Sequence, residues 1–162
     1  IAKPSEIDQS DRFMSRRKYT ILVVDDSAIQ RNRIAAALMR AGYRATTAED
    51  GFDALGKVRA RRFAACCVDV FMPLIDGLEF VERLKDSPDT QDIPVYMMSG
   101  RSVDQHYDRQ RLDRLGVLDF FHKPFDIEIL IKSLDGILLE ELETIIEPPK
   151  TEEIYLTEGS LS

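Results

Sequence analysis

Apolar positions along this chain recur with two alternating periods. Ile21-Leu22-Val23-Val24 is an unbroken, largely β-branched apolar run that stops at Asp25-Asp26, the pattern of a strand buried on both faces of a parallel sheet. The period then changes: Ile34, Leu38 and Ala41 fall at helical spacing between Ser27, a good N-cap, and Gly42, a stop signal. Further strands are predicted at Tyr43 to Ala48, Ala64 to Val70, Pro94 to Ser99 and Val117 to Phe121. Between them lie helices carrying Ala54, Leu55 and Val58, then Leu78, Val81 and Leu84 (about Gly77 to Lys85), then Val103, Tyr107, Leu112 and Leu115. A last helix starts near Asp126. Five strand-then-helix units with short connections predict an α/β domain, its parallel sheet covered by helices on both faces.

The flanks read differently. Residues 1–19, including Pro4, Asp8 and Arg16-Arg17-Lys18, show no sustained period and are expected to be an arm or linker. The main domain spans 20–137. Residues 138–147 are expected to be a helical extension of the last helix, since Ile131, Leu138 and Ile145 lie seven apart, with Asp135-Gly136 as a possible break point. That stripe serves equally a partner helix or the domain's own core. Residues 148–162 are acidic and expected to be mobile.

Composition adds exclusions. The 162 residues carry a net charge of −7, much of it in Glu140, Glu141, Glu143, Glu147, Glu152, Glu153 and Glu158, which argues against direct nucleic-acid binding. No apolar run is long enough to cross a bilayer, so a soluble, cytoplasmic protein is expected. The only cysteines, Cys66 and Cys67, are adjacent on a strand, point to opposite faces and cannot form an ordinary bridge. They read as core residues, and His106 and His122 as surface residues rather than metal ligands. The chain begins at Ile1, which leaves open that it belongs to a longer protein.

In a parallel α/β sheet, functional groups collect where strands end at their carboxyl edge. Asp25 and Asp26 end the first strand, Asp69 the third and Ser99 the fourth, and Lys123 follows the fifth. Three carboxylates at one edge repel one another unless a cation joins them, and a hard divalent ion such as Mg²⁺ suits oxygen ligands while leaving room for a phosphoryl oxygen. A carboxylate can act as nucleophile toward phosphorus, with lysine and hydroxyl donors holding the transferring group.

The segments ILVVDDS, VDVFMPLIDG, VYMMSG and FFHKPF, in this order over roughly Thr20 to Ile137, resemble the receiver domains of bacterial response regulators in two-component signalling. The resemblance implies a flavodoxin-like, doubly wound, five-stranded sheet of order 2-1-3-4-5 with five helices. It implies Asp69 as phosphoacceptor, and Mg²⁺ held by Asp26, Asp69 and the backbone carbonyl of Phe71, with Asp25 acting through a bound water. Lys123 would pair with the acceptor or its phosphate, Ser99 would bond the phosphoryl group, and Phe120 would be the switch aromatic. The Lys123-Pro124 peptide would be cis. Implied partners are a histidine kinase or phosphotransfer protein and a downstream protein on the face of the fourth helix, fifth strand and fifth helix, with a homodimer left open and no nucleic acid or membrane. Such a protein is a signalling phosphoacceptor, not an enzyme acting on other substrates. Two other readings compete: a pseudo-receiver that binds partners without phosphorylation, which would be expected to lack an acidic or lysine position, and an Asp-nucleophile phosphatase, which would want a second Asp where Phe71 stands.

Overall fold

A computed structural model describes residues 8–100 and 109–140. The elements run α1 (Gln9–Arg16), β1 (Thr20–Val24), α2 (Ala28–Ala41), β2 (Arg44–Ala48), α3 (Gly51–Ala60), β3 (Ala65–Asp69), α4 (Gly77–Asp86), β4 (Val95–Ser99), α5 (Arg109–Arg114), β5 (Val117–His122) and α6 (Ile127–Leu138). All five strands pair in parallel in the order β2-β1-β3-β4-β5, as the resemblance implies.

Every residue of β3 and β4 is buried, as are four of the five in β1, so the central strands cannot show the alternation of a half-exposed sheet. Alternation appears instead in which core a side chain joins. Leu22, Cys66 and Met97 enter the layer beneath α3 and α4, with Val58, Phe80 and Leu84. Ile21, Val23, Cys67 and Met98 enter the layer beneath α2 and α6, with Leu38, Leu130 and Leu134. The two free cysteines thus face opposite sides, each fully buried, and burial pushes the Cys66 thiol up to about 12.

The flanks depart from the sequence reading. Residues 9–16 of the expected arm form α1, which docks on the domain, so the described residues hold six helices. No apolar residue of α1 is buried, Phe13 and Met14 staying exposed, which is why no apolar period announced it. A buried charge holds it instead. Arg16 donates from Nε and Nη2 to the two carboxylate oxygens of Asp135 at 2.9 and 2.6 Å, and from Nη1 to the carbonyl of Ala41 at 2.9 Å. Tyr43 donates its hydroxyl to the same carboxylate at 2.6 Å. Gly42, at φ 112°, closes α2, and a Cβ there would sit 2.6 Å from the carbonyl oxygen of Phe13, so only glycine permits this approach. Asp135-Gly136 does not divide α6, which runs continuously from Ile127 to Leu138. The expected helical stretch 141–147, the tail 148–162, the helix positions Val103 and Tyr107, and His106 lie outside the described residues.

Among the described residues, no helix is long and apolar enough to cross a membrane.

Candidate functional site at the carboxyl edge of the sheet

Each strand of the central sheet ends on the same edge, and the following helices are capped there. Ser27, Asp50, Asp76 and Asp126 accept from the first-turn amides of α2, α3, α4 and α6, a role suited to short polar side chains. Because Ser27 caps α2, that task does not fall to the acidic pair before it. Asp25 is fully buried. One of its oxygens accepts from the amide of Ser27 at 2.9 Å and the other from the Lys123 ammonium at 2.5 Å. Asp26 is exposed, and the carbonyls of both aspartates accept from Arg31.

Asp69, at the end of β3, is 7% exposed. Its position depends on a close passage of backbone: the loop after β3 returns to α4 at Gly77, whose amide donates to the carbonyl of Val70 at 2.8 Å. A Cβ on Gly77 would lie 2.2 Å from the Asp69 carbonyl oxygen, closer than nonbonded atoms can approach, which explains a glycine at this site.

Ligand oxygens of Asp25, Asp26 and Asp69 lie within 4.8 Å of one another. The Lys123 ammonium is 3.5 Å from the Asp69 carboxylate and closer to Asp25. Burial, and the neighbouring Asp25 and Asp26 carboxylates, push the Asp69 carboxyl up to about 6, against the opposing pull of Lys123 and of the Phe71 amide that bonds it. One ammonium therefore stands among three carboxylates, and the surplus is negative. The donor set is all oxygen, which fits a hard divalent cation and not a thiolate- or imidazole-seeking metal.

Ser99 is fully buried at the end of β4, and its carbonyl accepts from the amide of Lys123 at 2.8 Å. The Lys123-Pro124 peptide is cis. Phe120 is half-buried against the α3 and α4 layer, with its ring edge-on to His122 at 5.2 Å between centroids.

A model of the response regulator receiver domain family matches residues 21–135. The chain belongs to this family. It is 33% identical over 152 residues to a 3',5'-cyclic-nucleotide phosphodiesterase, regA, of Dictyostelium discoideum, covering 93% of this chain but 18% of that protein. It is 30% identical to Protein PilH of Pseudomonas aeruginosa, over 73% of this chain and 96% of PilH. Among solved structures, chemotaxis protein CheY4 of Vibrio cholerae aligns with a TM-score of 0.66 at 33% identity, covering 74% of this chain and 98% of that one. The receiver domain of a Pseudomonas aeruginosa sensor histidine kinase aligns at 0.64 and 25% identity, covering 73% and 95%, and carries a magnesium ion in its active-site cleft. The chain spans less than a fifth of the phosphodiesterase, so what that longer protein does as a whole is not carried over.

In this receiver domain the edge brings together Asp25, Asp26, Asp69 and Lys123, with Ser99 joined through the backbone of Lys123. Arg101, two residues past Ser99, lies outside the described residues. Sequence reasoning missed the apolar rim. Ile29, in the first turn of α2, is 83% exposed, and Leu74, in the loop between Asp69 and α4, is 80% exposed with φ 70°. A signal existed for Ile29, which falls off the Ile34–Leu38–Ala41 period of its own helix. For Leu74 there was none, since only the folded loop shows a β-unbranched apolar side chain held outward in the left-handed region.

Proposed function

We propose that this receiver domain accepts a phosphoryl group on Asp69 from a phosphohistidine of a histidine kinase or phosphotransfer protein, with Mg²⁺ held by Asp26, Asp69 and the carbonyl of Phe71. The observation that carries the reading is the convergence of three carboxylates within 4.8 Å, with an ammonium 3.5 Å from Asp69, the buried carboxylate that ends β3. A bound Mg²⁺ would neutralise charge on the transferring group. The Asp69 carboxylate oxygen attacks phosphorus, the phosphorus–nitrogen bond breaks, and its electron pair stays on the imidazole, which takes a proton from solvent. Lys123, already ion-paired to Asp25 and Asp69, stabilises the new acyl phosphate, and Asp25 orients both the lysine and a metal-bound water. Ser99 bonds the phosphoryl oxygens, and Phe120 follows it inward. The face built by α5, β5 and α6 then changes its affinity for a downstream protein, because phosphate biases a pre-existing equilibrium between two arrangements.

Ile29 and Leu74 support a protein donor, since exposed apolar groups beside a charged cleft favour a partner that covers them. The protein catalyses only its own phosphorylation and dephosphorylation in this reading. Incubation with acetyl phosphate or a phosphorylated kinase, with and without Mg²⁺, tests it. A gain of one phosphoryl mass, dependent on Mg²⁺ and absent in Asp69→Asn, is expected. No gain from either donor would leave a phosphorylation-independent interaction module.

A further inference from the structure

At the amino edge of the sheet, opposite the acidic cleft, lies a depression of about 750 Å³ that the proposed chemistry does not use. Its floor is apolar, made by Val58, Phe63, Ile93 and Leu138. One wall carries Arg59, in the last turn of α3, and Arg61 and Arg62, in the short connection from α3 to β3, all exposed. Arg61 lies over the Phe63 ring at 5.9 Å, so its guanidinium is held along the floor. The opposite wall is the turn between α4 and β4, with Asp89 and Asp92. Three guanidiniums around an apolar floor suit a peptide that alternates carboxylates with large apolar side chains, because arginine pairs with carboxylates in a planar fork and stacks on apolar groups.

Such a peptide is present in the chain itself. The last residue of α6, Leu138, lines the depression, and residues 141–162 follow it in sequence after only Leu139 and Glu140. That stretch holds six glutamates against one lysine, and includes Glu152-Glu153-Ile154-Tyr155-Leu156. The intervening segment 141–151 can extend at most about 36–40 Å, ample for a site at its own root. The other edge of the sheet repels the same glutamates, since Asp25, Asp26 and Asp69 gather there. Tethering raises the effective concentration to the order of millimolar, so even a weak contact is populated. We infer that the acidic segment around Glu152–Leu156 docks intramolecularly into the arginine-walled depression between the α3–β3 and α4–β4 connections, its glutamates on Arg59, Arg61 and Arg62 and its apolar side chains on the floor.

A paramagnetic label tests this in the full chain. Cys66 and Cys67 are fully buried, so a nitroxide reacts selectively at Ser160→Cys. Amide signals of residues 59–64 and 89–93 are expected to fall below half their intensity relative to the reduced label, while those of the acidic cleft stay unchanged. Raising salt to about 0.5 M should restore them, since the ion pairs are exposed. Glu152→Lys with Glu153→Lys, which changes no residue of the folded core, should restore them as well, as should Arg61→Glu with Arg62→Glu. Loss of signal elsewhere, no loss, or loss that survives the Glu152→Lys/Glu153→Lys change overturns the inference. Loss seen when labelled protein is mixed with unlabelled ¹⁵N protein also overturns it, by making the occupant a second copy.

Discussion

Replacing Asp135 by alanine removes the centre of the network that holds α1 to the domain. Its carboxylate receives two bonds from Arg16 and one from Tyr43, with Arg12 a further 3.6 Å away. The Arg16 side chain is 11% exposed and that of Asp135 9%, so the pair is screened little by water. Removing one member of such a pair leaves the other charged and buried, which costs about 3–5 kcal/mol. The Tyr43 hydroxyl, also buried, loses a partner at a further cost of about 1 kcal/mol. Part of this is recoverable, because α1 can undock and return the guanidinium to water, and the loss is then capped by the docking energy of one short helix. A net loss of about 3 kcal/mol is expected, a large fraction of the roughly 5–15 kcal/mol that stabilises a domain. Arg16→Ala should cost less, about 2 kcal/mol, because Tyr43 still donates to the carboxylate that remains. Urea unfolding followed by circular dichroism, with the slope checked for constancy, gives these differences. Native-state hydrogen exchange should show the α1 amides losing protection before those of β1 and β3. A loss below about 1 kcal/mol for Asp135→Ala, or unchanged exchange in α1, would refute a buried-charge latch.

The raised Asp69 carboxyl, about 6 in the fold against 3.8 in an open chain, makes the folded state bind a proton more tightly than the unfolded state. Its stabilising contribution is therefore complete below about pH 4 and is lost as pH rises through 6, by at most about 3 kcal/mol. Asp69→Asn should accordingly stabilise the cation-free protein near neutral pH and confer little near pH 4; urea midpoints in chelator at both values check this, and a gain that does not grow with pH would contradict it. Divalent-ion affinity should weaken about tenfold per unit below pH 6, as protons compete for the same oxygens, measured by calorimetric titration. Gly77→Ala forces a methyl group into the Asp69 carbonyl, and since all three nearest atoms are backbone the loop or α4 must move. A stability loss of about 1–3 kcal/mol and a slower phosphoryl uptake are expected from thermal melts and acetyl phosphate time courses; wild-type values in both would show that the loop yields freely.

Much of the fold was legible because burial on both faces leaves a strong mark on sequence. The apolar runs ending at Val24, Val68 and Met98, each followed by a polar residue, located the central strands and their functional edge together. Ser27 marked the start of α2 by its capping chemistry, and the last helix was placed from Asp126, which caps it. What sequence could not supply were the relations between residues far apart in the chain. Nothing local pairs Arg16 with Asp135, 119 positions away, and a helix docked through charge carries no apolar period to announce it.

Sequence by itself determined the alternation of strand and helix, the edge on which Asp25, Asp26, Asp69, Ser99 and Lys123 fall, and the family to which that order of motifs points. Only the tertiary structure decided that Lys123 sits nearer Asp25 than Asp69, that Asp69 is buried enough to hold its proton to about 6, and that arginines of the α3–β3 connection share a depression with the end of α6. The physical reason is range. Periodicity and capping are settled within a few residues of chain, whereas distances between charges and exclusion of water are properties of the packed whole.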